Sequence, residues 1–211
     1  TLKHNVEAGA NTAVGDLALR QLKTSTASTY NTAVGRASQR GPNNEAQFHT
    51  GERNTSVGAG SMKVITTGND NTAVGYWSQY GASITGDYNT SIGSNSLKNL
   101  DSGDKNISVG HEAGDVITSG SNNVIIGTGS DPSASSASNQ TVIGYNVTGQ
   151  ADNSVVLGNA DVTAIYMAQD KGATVHAAGA DLSGSTGLIL ENDETITNST
   201  DGTVLINGTV A

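Results

Sequence analysis

The residues in this chain that could ligate a metal or move a proton are few. They are His4, His49, His111 and His176, the pair Asp101 and Asp104, Asp70 beside Asn69, and the cluster Glu191, Asp193 and Glu194. A zinc hydrolase helix needs two histidines four residues apart with a glutamate between them. His111-Glu112 has no second histidine at that spacing. The aspartates lack the ligand spacing of a calcium loop and read as turn residues. Glu191, Asp193 and Glu194 read as a solvated strand end rather than a glycosidase carboxylate pair. Neither a Gly-x-Ser-x-Gly elbow nor a phosphate-binding loop occurs. The expectation is a protein without catalytic residues, metal ligands or cofactor. Binding has better candidates. Tyr76, Trp77 and Tyr80 sit close together and Tyr88 follows, in a chain with one Phe and one Trp. Such aromatics stack on sugar faces or hold protein loops. The competing reading is packing within or between protomers.

Composition restricts what could position such residues. Aromatics make up 4% of 211 residues, with 27 glycines and 2 prolines. A lone chain of this kind has little large apolar surface to set against chain entropy. Regular Val and Ile placement argues against disorder, so several chains are expected to share a core. The formal net charge of -9 disfavours nucleic acid and anionic membranes as partners. No apolar run approaches the roughly 18 residues of a membrane span. The first residues carry no apolar signal-peptide core. With no cysteine, disulfides and thiolate sites are excluded.

What organises the chain is a repeat. Asn11-Thr12-Ala13-Val14-Gly15 recurs with Asn31, Val34 and Gly35; with Asn54, Val57 and Gly58; with Asn71, Val74 and Gly75; and with Asn89, Ile92 and Gly93. Looser copies hold Asn106, Val109 and Gly110; Asn123, Ile126 and Gly127; Ile143 and Gly144; and Leu157 and Gly158. The Gly-to-Gly spacings are 20, 23, 17, 18, 17, 17, 17 and 14. A short fixed period means stacked equivalent units. The residues one and three before each Gly are branched and share a strand face, which is expected to point inward. The residue between them is Ala or Ser in the first six copies, as if another backbone came close. The repeat Gly and a second Gly three before the next Asn form corners, and a second short strand is expected after the first corner. The Asn is expected to serve turn chemistry or an internal ladder of stacked amides. The fold is therefore all-β: a parallel β-solenoid of about nine coils, roughly 40 Å long at about 4.8 Å per coil. An outward Thr column would suit ice binding. Ile107, Val124 and Val155 share that column, which is expected to look inward and sets ice binding aside.

The Asn-[Ser/Thr]-x-[Val/Ile]-Gly-x-x-[Ser/Ala] unit, covering roughly residues 9–165, resembles the left-handed parallel β-roll of trimeric autotransporter adhesin heads. It also resembles repeats in tailed-phage fibre proteins. The resemblance implies a homotrimer, one roll per chain, with small residues near the threefold axis. In a trimer any one of the four histidines could meet its copies on the axis, and nothing selects one. The coils here are longer than adhesin heads usually have, which puts extra loop on one edge. The longest insertion is residues 36–53, and residues 130–139 form a low-complexity polar loop.

Residues 1–165 are thus read as the repeat domain and 166–211 as a small C-terminal β module or neck. Residues 162–167, 187–190, 195–197 and 203–206 are its expected strands. Residues 187–208 resemble C-terminal segments of marine phage virion proteins. The expected function is a structural fibre: a trimeric solenoid segment of a phage tail fibre or spike presenting a receptor-binding surface. The alternative is the head of a bacterial trimeric adhesin. A fibre-borne polysaccharide-degrading enzyme is more distant, because successive coils carry Asn, Ser and Thr where acidic pairs would be needed. Expected partners are the chain itself, with end-to-end assembly open, and a cell-surface glycan or protein. The expected location is the virion surface or the extracellular side of a cell, without nucleic acid and without membrane insertion.

Overall fold

A computed structural model describes residues 10–21, 30–42 and 49–166. Nine three-residue strands follow one another: β1 (Thr12–Val14), β2 (Thr32–Val34), β3 (Thr55–Val57), β4 (Thr72–Val74), β5 (Thr90–Ile92), β6 (Ile107–Val109), β7 (Val124–Ile126), β8 (Thr141–Ile143) and β9 (Val155–Leu157). All pair in parallel and in sequence order, so eight turns of chain join nine rungs of one sheet. Register is strict: Thr72 lies against Thr90, Ala73 against Ser91 and Val74 against Ile92, and likewise along the stack. This is a parallel β-solenoid, and no helix occurs among the described residues. Each rung is built from β-branched residues that suit extended backbone.

The strand face is the reverse of the expected one. The middle residue points in: Ala33, Ser56, Ala73, Ser91, Ser108, Ile125 and Val142 are buried. The flanking branched residues point out, with Val57, Val74, Ile92, Ile107, Ile126 and Ile143 all more than a third exposed. The reason is the narrow bore of the coil. Beyond the corner, Leu19, Met62 and Leu97 turn inward and fill the lumen, leaving room across from them for Ala or Ser only. In two coils the same position holds Gln39 and Gln79, so the lumen is partly polar. Larger middle residues return at Ile125, Val142 and Val156, where the facing side chains are Ala113, Ile117 and Val147. The Thr column therefore faces outward, and the ground for setting aside ice binding falls with it.

The expected second strand is also absent. After each repeat Gly the chain makes tight turns, with Leu17, Leu19, Trp77, Gln79, Asn95 and Leu97 all in the left-handed region. Three consecutive corners do the work of a second strand in fewer residues. The serine that follows is an interior stitch: Ser61 Oγ donates to Ala73 O at 3.1 Å, Ser78 Oγ to Ser91 O at 3.0 Å and Ser96 Oγ to Ser108 O at 3.1 Å. Gly93 is typical of the first corner: φ is +136°, and a Cβ there would stand 2.2 Å from Gly110 O in the next coil.

The repeat unit ends at Ala164. Residues 162–166 are not a strand. Val162 N–H turns back to Asn159 O at 3.2 Å and its side chain folds onto Gly158. The C-terminal module expected over 166–211 lies, apart from Tyr166, outside the described residues.

Candidate functional site

The asparagine corner is structural in a specific way. Asn71 Oδ1 accepts the Asn89 N–H at 2.9 Å, Asn89 Oδ1 accepts the Asn106 N–H at 2.9 Å, and Asn106 Oδ1 accepts the Asn123 N–H at 3.1 Å. The pattern begins at Asn11 and passes through Asn31 and Asn54. From Asn31 to Asn123 each Nδ2 donates to the carbonyl of the neighbouring coil's second corner, as Asn89 does to Gly103 O at 2.8 Å. The left-handed residue of this corner is the one before the Asn: Tyr30, Arg53, Asp70, Tyr88 and Lys105.

The aspartates considered for calcium are turn acceptors. Asp101 Oδ1 accepts the Ala82 N–H at 2.6 Å, Asp104 Oδ1 accepts the Asp87 N–H at 2.8 Å, and Asp70 holds Arg53 through two bonds of 2.7 and 2.8 Å. Among the described residues no three His, Asp or Glu side chains gather as metal ligands. His111 lies 3.6 Å from Glu112, both half exposed. His4, His176, Glu191, Asp193 and Glu194 lie outside the described residues.

His49 is fully buried. Its Nδ1 accepts the Gly51 N–H at 3.1 Å and its Nε2 faces Gln39 Oε1 at 3.3 Å. Gln39 Nε2 donates to Thr32 O and Asn54 O, so its Oε1 is free to accept and His49 carries its proton on Nε2. Burial lowers the imidazole pKa to about 4.

The aromatic residues divide. Tyr76 stacks on Trp77 with ring centroids 4.7 Å apart, and Trp77 meets Tyr80 at 5.1 Å. Tyr88 stands apart from them at an asparagine corner, exposed and with φ +60°. The cluster of three sits among cations. Lys63 Nζ donates to Tyr80 Oη at 2.9 Å and lies 5.0 Å from its ring centre, while Lys98 Nζ lies 5.7 Å from the Trp77 ring. These lysines are hard to find by scanning, because coil length varies. Counting from each repeat Gly finds them: the fifth residue onward is Arg20, Arg40, Lys63, Tyr80 and Lys98. Backbone bonds confirm the column, with Gln21 N–H on Arg40 O, Met62 N–H on Ser78 O and Gly81 N–H on Lys98 O. One rung beyond Lys98 the edge turns acidic at Asp115, followed by Asp131 in the next coil. Burial first, and then the Asp115 charge, push the Asp131 carboxyl up to about 6.

The chain is, by this geometry, a parallel β-solenoid repeat protein with an aromatic and cationic patch on its turn side. No family model, curated protein or solved structure matches it.

Proposed function

We propose that the chain is a structural fibre protein: a homotrimeric, left-handed β-roll segment of a phage tail fibre or spike that holds a receptor-binding surface away from the particle. The observation that carries this reading is the outward face of the sheet. Thr12, Thr32, Thr55, Thr72 and Thr90, with Val14, Val57, Val74, Ile92, Ile107, Ile126, Ile143 and Leu157, make two straight branched columns along the rungs. A flat face of this extent, on a chain with a thin lumen, gains most by meeting copies of itself, whose columns have the same rise. Trimerisation then supplies the burial that one chain lacks, and the stacked rungs supply stiffness. The head of a bacterial trimeric adhesin is the alternative, since the repeat resembles both and the same face would serve. No catalytic role is proposed.

The test is absolute mass by light scattering, with far-UV circular dichroism on the same sample. A β spectrum with a mass near three times 21.3 kDa is expected. The double variant Val74→Glu/Ile92→Glu should give a smaller folded species. A folded wild-type monomer would overturn the trimer. It would also reopen ice binding by the outward Thr column, read by thermal hysteresis.

A further inference from the structure

We propose that the turn-side patch of Trp77, Tyr80, Lys63, Lys98, Arg40 and Arg20 is a binding site for an acidic polysaccharide. A pyranose ring would stack on one aromatic face of the Tyr76–Trp77–Tyr80 cluster, whose Trp77 and Tyr80 rings are inclined by 44°, and carboxylate or sulfate groups on neighbouring sugars would be held by the flanking cations. This deepens the receptor-binding reading above but does not require the trimer.

Three independent observations converge on this site. The first is charge placement. The chain has 10 Lys and Arg against 19 Asp and Glu. Four of those ten cations nevertheless stand in one column, in four of five successive coils, with Tyr80 as the fifth member. Among the described residues none of the four forms an ion pair, and the first carboxylate in the column is Asp115, one coil beyond Lys98 and within reach of its charge. Among the described residues, two buried guanidinium nitrogens of Arg40, Nε and Nη2, have no hydrogen-bond partner. Burial, and then the charges of Arg20 and Arg36, lower its pKa. Stacking like charges this way costs stability unless an anion neutralises them.

The second observation is backbone strain. Trp77 has φ +53°, a left-handed conformation that is unfavourable for a bulky L-residue. The equivalent residues of other coils are Gly60, Asn95, Gly129 and Asn146, which suit it, and Leu17, Ala37 and Glu112, so the corner imposes the conformation and Trp77 is the one aromatic placed there. Gly60 also clears the floor for the indole, since a Cβ there would stand 2.6 Å from Trp77 Cδ1. Among the described residues the indole N–H has no acceptor, which leaves it for a ligand hydroxyl.

The third is repeat distance. Successive cations rise by about 4.8 Å per rung, comparable to the advance of a polysaccharide chain per sugar. A polymer with one negative charge per sugar would therefore meet the column nearly in step. Neutral sugars would engage the rings alone.

Isothermal titration calorimetry on the full chain tests this with oligogalacturonate, sulfated dextran oligomers and neutral cello-oligosaccharide of matched length. Both acidic probes should bind on the order of tenfold or more tighter than the neutral one, and added salt should erase the difference. Trp77→Asn, a residue the same corner accepts at Asn95 and Asn146, should weaken all three probes. Lys63→Gln/Lys98→Gln should abolish the acidic preference alone. Preference for one acidic probe would assign carboxylate or sulfate as the recognised group. Equal affinity for the neutral probe, no binding to any probe, or variants that bind like wild type would overturn the proposal. So would tighter binding of a single-stranded oligonucleotide. Mass measured on the same samples keeps a failed trimer distinct from a failed site.

Discussion

At the scale of single residues, the interior is held by polar side chains that each have one task. Asn89 satisfies the Asn106 N–H and the Gly103 carbonyl, both buried. Asn89→Ala leaves both without a partner and should destabilise the fold by about 2–4 kcal/mol in urea unfolding, whereas the exposed Asn99→Ala should cost under about 0.5 kcal/mol. Equal effects would contradict the ladder's role. His49 makes a different prediction. Its folded pKa of about 4 lies below the ordinary 6.5, so the unfolded chain binds the proton more readily. The neutral ring's contribution is complete above pH 6.5 and is lost as pH falls toward 4, by up to roughly 3 kcal/mol. Urea midpoints measured between pH 7.5 and 4.5 should fall on acidification, and fall less in His49→Asn. A midpoint that stays flat in the wild type would refute this.

At the scale of the element, one rung and its corners make the unit. The corner glycines are fixed by contact between coils as much as by backbone conformation. Gly93→Ala meets both a φ of +136° and the Gly110 carbonyl, and should cost about 2–4 kcal/mol. A thermal midpoint within 2 °C of wild type would mean the coils part more easily than the close approach implies. The rungs themselves were legible from sequence: Asn, β-branched pair and Gly recur, and the nine strands fall on those pairs. The direction of the side chains was not. Hydrophobicity alone places Thr and Val inside and Ala or Ser outside, but the lumen is too narrow to obey it. Ile125, Val142 and Val156 were the available hint, because large middle residues make sense only in an interior. The aromatic cluster was legible as a local run of residues. Its cations were not, because coils of 23, 17 and 18 residues separate side chains that stack in space. The second strand failed because left-handed corners at Leu19, Met62 and Leu97 have no signature in residue type.

At the scale of the whole repeat unit, stability is a sum over coils and their interfaces, so its parts can respond differently to the same change. Acid weakens the coils around His49. It should strengthen those around Asp131, whose raised pKa means the folded state binds the proton more readily, so stability falls as pH rises from about 4 to about 6. Asp131→Asn should therefore raise the thermal midpoint at pH 7 and leave it nearly unchanged at pH 4. Amide exchange should show β2–β3 opening more easily, relative to β7–β8, at pH 5 than at pH 7.5; a pH-independent ratio would rule this out. The amide column has a last consequence. The Oδ1 of every repeat asparagine from Asn11 to Asn123 accepts from the backbone of the coil after it, never the one before. The amides of this column and the parallel strands thus share one arrow, opposed by the neighbouring Asn69, Asp87 and Asp104, which accept from the coil before, and the two ends of the roll are chemically unlike. The arrow stops at Gln140, whose longer side chain swings aside to Ser133 and Asp152. Copies that joined through their ends could continue the hydrogen-bond lattice only nose to tail, so any such thread would have a front and a back.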